Sequence, residues 1–484
     1  MADSHRPPNI LLIFADQWRA DALSCAGHPV AQTPHLDALA STGTRFRQAY
    51  TACPSCIAAR AGLLTGLKPA THGFVGYRDG VNWRYAHTLP RSLGAAGYQT
   101  HCVGKMHTHP IRNRVGFDEV ALHDGYLHYG RRTAGDAGCY DDYLPWLRER
   151  LGSAYADYTD TGLGCNGYSV APWTRPEELH PMSWVTSRSL DFLRRRDPTQ
   201  PFFLMASYHR PHPPLDPPAA YWDRFRDVPL DPPAMGDWVD WELGACRGLD
   251  SPVPNDPVQR DIGRRAYFAQ LAFLDAQVNR LIMGLSEAEL LNETWIIFSA
   301  DHGDLLYDHN LVAKAQPFAG SAGIPLIIRP PAARWSNPRG NVCDAVVELR
   351  DLYPTFVELA GAPVPSHLEG ASLLPVLAGD AEGVREWLHG EHTDGVRSNH
   401  WLTDGHEKYC WYSQTGRELL FDLDADPTEC HNLATARPDR TALWRGRLIT
   451  ELADRPEGFT QANELVAGRA VTSSLEWVGV GRGG

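Results

Sequence analysis

The sequence predicts an α/β protein: a large, mostly parallel sheet covered by helices, followed by a smaller C-terminal α+β domain. Three observations carry this expectation. Apolar runs of strand length recur without polar interruption, as strands buried on both faces require. Helical periodicity alternates with them. After about residue 370 the alternation gives way to short strands separated by turn residues.

The elements follow in order. Asn9-Ile-Leu-Leu-Ile-Phe-Ala15 reads as the first buried strand, and Asp16 and Gln17 follow at its C-terminal end, where α/β proteins place ligands. Helices are expected to start near Pro34 and near Ser55 or Cys56, the second running to Leu64. Leu89 to Ala96 reads as helix and Tyr98 to Val103 as strand; Trp184 to Arg196 reads as helix and Phe202 to Ser207 as strand. Tyr267, Leu271, Leu274, Val278 and Leu281 share one helical face. Thr294 to Ser299 is a further strand with Asp301 and His302 just beyond it, Ile324 to Ile328 another, and Leu352 to Ala360 a helix. The segments 108–180 and 211–258, rich in Gly, Tyr and His or in Pro and Asp, read as long surface insertions. Tyr409 to Tyr412 and Leu419 to Leu423 flank Thr415-Gly416 as a hairpin, and Arg440 to Leu452 closes the chain as a helix.

At 484 residues the chain exceeds what one core fills, so two domains are expected, 1–370 and 371–484. The formal net charge of −13 argues against a nucleic-acid partner. The apolar run Ile10 to Ala15 is too short for a leader or a membrane span, which points to a cytoplasmic protein with no membrane partner. The sequence sets no oligomeric state, and a homo-oligomer is compatible with it. Of the ten cysteines only Cys53-Pro-Ser-Cys56 has a redox spacing. A thioredoxin-like reading would need another strand–helix order and would leave Asp301 and Lys314 unexplained.

Asp16, Gln17, Asp301 and His302 offer oxygen and nitrogen ligands suited to calcium, magnesium or manganese. Six motifs then occur in order. They are Pro8-Asn-Ile-Leu…Ala15-Asp-Gln, Cys56-Ile-Ala-Ala-Arg60 with Leu64-Thr-Gly66, Gly104-Lys-Met-His107, Arg210-Pro-His-Pro-Pro214, Ala300-Asp-His-Gly-Asp304 with Lys314, and Phe421-Asp-Leu-Asp-Ala-Asp-Pro-Thr-Glu429…Asn432-Leu. Together they resemble the sulfatase family of the alkaline phosphatase superfamily, with arylsulfatases and phosphonate monoester hydrolases as members.

The resemblance implies a large mixed sheet sandwiched by helices and a short antiparallel sheet in the C-terminal domain. It implies a metal-dependent hydrolase acting on a small-molecule sulfate ester. Cys56 would be oxidised to formylglycine by a maturase; one oxygen of its hydrate attacks sulfur and the other later expels sulfate. Asp16, Gln17, Asp301, His302 and residue 56 would hold one divalent ion. Arg60 and Lys105 would hold the modified residue. Lys314 and His212 would contact sulfate and the leaving oxygen, with His212 or His107 as acid or base. His209 is close enough in sequence to stand in for His212. Ala58 occupies the signature position where Pro is usual, which favours a radical maturase over an oxygen-dependent one. The Asp-Gln and Asp-His pairs resemble phosphonate monoester hydrolases and some bacterial aryl- and choline-sulfatases, and place manganese beside calcium. A phosphonate monoester or phosphodiester hydrolase is therefore the alternative activity.

Overall fold

The computed structural model describes residues 6–125, 140–239, 256–332, 334–335 and 339–476. Among the described residues, ten strands precede residue 349: β1 (Asn9–Asp16), β2 (Thr44–Phe46), β3 (Ala49–Tyr50), β4 (Gln99–Gly104), β5 (Glu119–Leu122), β6 (Phe202–Pro211), β7 (Thr294–Ala300), β8 (Leu326–Arg329), β9 (Asn341–Cys343) and β10 (Val347–Glu348). Eight of them form one sheet in the order β5-β4-β6-β1-β7-β8-β2-β9, while β3 and β10 form a short parallel pair. Only β8 runs against the rest of the large sheet, so the sheet is mixed and mostly parallel.

Every residue of β1 is buried, as expected of a central strand covered on both faces. Successive residues of β6 show the two coverings. Phe202 packs on Phe192 of the helix Pro181–Arg195, while Phe203 packs on Phe356 of the helix Leu352–Leu359. The helices Pro34–Ser41 and Pro257–Glu287 join the first layer, and Cys56–Thr65 and Leu89–Ala95 the second.

Of the six strands that follow among the described residues, β11 (Leu388–His392), β12 (Asn399–Thr403), β13 (Glu407–Tyr412) and β14 (Glu418–Asp422) form an antiparallel sheet of that order. The expected hairpin is its last pair. One face carries Leu402, Tyr409 and Leu420 against Trp444 and Leu448 of the helix Pro438–Glu451. The other carries Leu388, Trp401, Cys410, Leu419 and Phe421 against Tyr50, Leu305, Leu311 and Phe318.

The segment 108–180, expected to be irregular, contains the edge strand β5 and the helix Tyr143–Leu151, which buries Tyr143, Leu144 and Leu147. Four strand residues are too few for a periodic signal. Segment 211–258 contains the helix Ala219–Phe225, and parts of both segments lie outside the described residues. No helix among the described residues is long and apolar enough to cross a membrane.

Candidate active site

Four neighbouring parallel strands, β4, β6, β1 and β7, end on the same side of the sheet. Asp16 is the last residue of β1, Asp301 and His302 follow β7, Lys105 follows β4, and His212 follows β6. Cys56 opens the helix Cys56–Thr65, so its side chain lies at the positive end of the helix dipole. Gly104 makes the β4 turn: its φ is +100°, and a Cβ there would lie 1.9 Å from the Ser207 carbonyl oxygen, which instead accepts from Lys105 N at 2.9 Å.

Asp16, Cys56, Asp301 and His302 are all buried and converge on one point. His302 Nε2 lies 3.1 Å from Cys56 Sγ, 3.5 Å from Asp16 Oδ1 and 3.6 Å from Asp301 Oδ1; Sγ lies 3.6 Å from Asp16 Oδ1. Adjacent ligands around an ion bound at about 2.3 Å sit roughly 3.3 Å apart, so these spacings fit one hard cation. The His302 tautomer fits too. Its Nδ1 faces the Gly303 carbonyl oxygen at 2.9 Å, which can only accept, so Nδ1 carries a proton and Nε2 is the nitrogen turned toward the cluster. In such a site the sulfur of Cys56 is one of the four candidate ligand atoms.

The charges are arranged in register. Lys105 Nζ pairs with Asp16 Oδ2, and Arg60 Nε with Asp301 Oδ2 at 3.0 Å, all four side chains fully buried. Arg60 also donates through Nη1 to the Lys105 carbonyl (2.7 Å) and Ser207 Oγ (3.0 Å), while its Nη2 has no acceptor among the described residues. Burial raises the Asp16 pKa, but Lys105, His212, Lys314 and His302 together hold it well below the carboxylate range. Burial and Asp16 push the Cys56 thiol up; Lys105, Lys314 and His302 outweigh them and hold it well below its ordinary value. Asp301 goes the other way, pushed up by burial and by Asp16.

Gln17, in left-handed backbone at φ 72°, is clamped from both ends of its amide. Nε2 donates to Asp304 Oδ2 (2.6 Å) and to the Tyr168 hydroxyl (3.3 Å), and Oε1 accepts from Lys314 Nζ (2.7 Å). Lys314 is flanked by Ala313 and Ala315 at φ 60° and 77°. Ala313 N donates to Asp304 Oδ1, Ala315 N to the Pro54 carbonyl, and the Ala315 carbonyl accepts from Asn399 Nδ2. Two residues on, Gln316 lines a shallow cleft together with Trp238, Leu311, Arg397, Tyr412 and Arg417.

Of the two histidines at the C-terminal end of β6, His209 within it and His212 just beyond, both place a ring nitrogen within 4.8 Å of an Asp16 carboxylate oxygen and of each other. His209 Nδ1 meets Arg210 Nη1 at 2.5 Å, and burial, Arg210 and His212 lower its pKa well below the ordinary value. His212 Nδ1 faces the Pro213 carbonyl at 2.9 Å and therefore carries the proton, leaving Nε2 as an acceptor. His107 belongs to the loop beyond Lys105, held by Asp124, which accepts from its backbone N at 3.0 Å. Its ring lies edge-on to Tyr77 at 6.2 Å and is in neither of the two ligand clusters. Cys53 and Cys56 form no disulfide with each other. Asp304, Tyr168 and Ser207 were given no role by the sequence reading. Asp304 stood inside a quoted motif; Tyr168 lies in a segment with no readable signal.

The family model described as "Sulfatase" matches residues 8–362, and one described as "N-sulphoglucosamine sulphohydrolase, C-terminal" matches residues 307–453. An arylsulfatase of Clostridium perfringens is 43% identical over 475 residues, covering 96% of this chain and 98% of its own. A multifunctional alkaline phosphatase superfamily protein of Trinickia caryophylli, PehA, is 29% identical over 94% of this chain and 99% of its own. The crystal structure of a phosphonate monoester hydrolase of Agrobacterium radiobacter superposes with a TM-score of 0.76 at 25% identity, covering 92% of this chain and 95% of that one.

Proposed function

The chain belongs to the sulfatase family, and on that premise we propose that it hydrolyses a small-molecule sulfate ester with residue 56, as formylglycine, supplying the attacking oxygen. The observation that carries this reading is the convergence of Cys56 with Asp16, Asp301 and His302 under the cations Arg60, Lys105 and Lys314. The maturase would act on Cys56 before the chain closes around it, since the residue is buried once folded.

Asp16, Gln17, Asp301, His302 and residue 56 would hold one divalent ion, calcium first and manganese or magnesium next, which when bound acidifies a hydroxyl and offsets sulfate charge. The rest belongs to side chains. Arg60 Nη2, buried with no acceptor, is assigned to an oxygen of the modified residue 56. Lys105 and Lys314 balance the oxygens of the ester, a preorganised arrangement that costs no rearrangement when charge develops. His212, with Nδ1 committed to Pro213 and its pKa held well below the ordinary value by burial and by Lys314, presents an Nε2 lone pair and is assigned to take the proton from the nucleophile. His107 is then left as the acid toward the departing oxygen.

The likeness to a phosphonate monoester hydrolase supports a second reading, in which the same residues cleave a phosphonate monoester or phosphodiester. These esters and sulfate monoesters each carry one negative charge, so the site's cations serve both. Steady-state rates on 4-nitrophenyl sulfate and 4-nitrophenyl phenylphosphonate, with protein co-expressed with a maturase and saturated with calcium or manganese, separate the two. The higher kcat/KM is expected on the sulfate; a higher value on the phosphonate would replace the first reading by the second.

A further inference from the structure

Strand β11 alternates its side chains between two faces. Leu388, Gly390 and His392 share the face that meets the large sheet's loops, where Leu388 packs with Tyr50, Leu305 and Phe318. Two backbone bonds fix the end of this strand against the catalytic half: Glu391 N donates to the Ala52 carbonyl (2.8 Å) and Thr393 N to the Val75 carbonyl (2.7 Å). His392, between them, is therefore held beside the segment that leads to Cys56. Its cross-strand partner on the same face is Asn399, whose Nδ2 donates to the Ala315 carbonyl at 3.1 Å, one residue from Lys314.

His392 is 4% exposed, and neither ring nitrogen has a hydrogen-bond partner among the described residues. Such an imidazole is costly unless something else satisfies it. Burial, with His302, Lys314 and Arg397 nearby and Asp394 opposing, pushes its pKa down to about 4. A neutral imidazole offers one N–H donor and one lone pair, the complement of a hydroxyl group.

We propose that His392 is a specificity-determining residue that the C-terminal sheet delivers to the active site, where it hydrogen-bonds a hydroxyl neighbouring the sulfated oxygen of the substrate. The assignment rests on the sulfate-ester reading above. Its substrates are then hydroxylated sulfate esters, such as sulfated sugars or catechols, in preference to plain aryl sulfates.

Two esters that differ by one such hydroxyl test it: the catechol ester 2-hydroxy-5-nitrophenyl sulfate and 3-nitrophenyl sulfate. His392→Ala is expected to lower kcat/KM about 10- to 100-fold on the first and less than about threefold on the second, with His392→Asn recovering part of the loss. Equal losses on both esters, or none on either, would overturn the assignment. The same comparison is made by binding in a Cys56→Ala background, where no turnover occurs. There His392→Ala is expected to weaken only the catechol ester, by about tenfold, and an unchanged affinity ratio overturns the assignment. If wild-type enzyme cleaves neither sulfate while the binding difference persists, the parent reading falls and the role of His392 stands.

Discussion

At the scale of single residues, the site is organised by side chains that touch one another rather than by any one ligand. Arg60 joins Asp301, the Lys105 carbonyl and Ser207, three segments of three different strands. Asp304 works similarly one layer out, fixing Gln17, Tyr168 and the backbone of Ala313. If Gln17 is a ligand, Asp304→Asn should lower divalent-ion affinity about 10- to 100-fold, since partners that orient a ligand carry that much. Calcium titration followed by calorimetry checks this, and an unchanged affinity would remove the Asp304–Gln17 pair from the metal site. Asp16, Cys56, Arg60, Lys105, Asp301 and His302 were legible because ordered motifs name them and strand ends bring them together. Asp304 contacts Gln17 across 287 positions and Tyr168 across 136, and no local pattern records such pairings.

At the scale of elements, two contacts between distant segments set testable energies. The tail motif includes Glu429, whose carboxylate takes Lys408 Nζ at 2.5 Å and Ala319 N at 2.6 Å, inside the layer between the two sheets. Glu429→Ala leaves Lys408 buried without its partner, and should cost about 3–5 kcal/mol in denaturant unfolding. A loss below about 1 kcal/mol would mean that Lys408 finds solvent. Asp275, on the helix Pro257–Glu287, accepts from Leu36 N (2.8 Å) and His35 N (3.1 Å) at the start of the helix Pro34–Ser41. Burial raises its pKa to about 7. The folded state thus binds this proton more tightly than the unfolded chain, whose carboxyl titrates near 3.9. Its stabilising contribution is complete below about pH 4 and is lost as pH rises through about 7, by at most about 4 kcal/mol. Asp275→Asn should therefore flatten the fall in Tm between pH 5 and 8; parallel curves for both proteins would rule this out. The hairpin β13–β14 was legible from Thr415-Gly416 between apolar runs. The reversal of β8 was not, because an apolar strand carries no mark of its direction.

At the scale of the whole molecule, the alternation of buried strands and helices was enough to place β1, β4, β6 and β7 side by side, and hence the residues at their ends. The segments 108–180 and 211–258 were not readable, since they hold short elements whose order comes from contacts with the rest of the chain. The net charge of −13 misleads about the site, where cations outnumber carboxylates around residue 56. The layout makes Cys56 a point on which the ends of the central strands β1 and β7 converge. The most direct test is the chemical state of that residue in active protein co-expressed with a maturase, read by peptide mass spectrometry after labelling with an aldehyde-reactive probe. An adduct on the peptide containing residue 56, rising in proportion to specific activity, is the expected result; full activity with an unmodified Cys56 thiol would contradict the account.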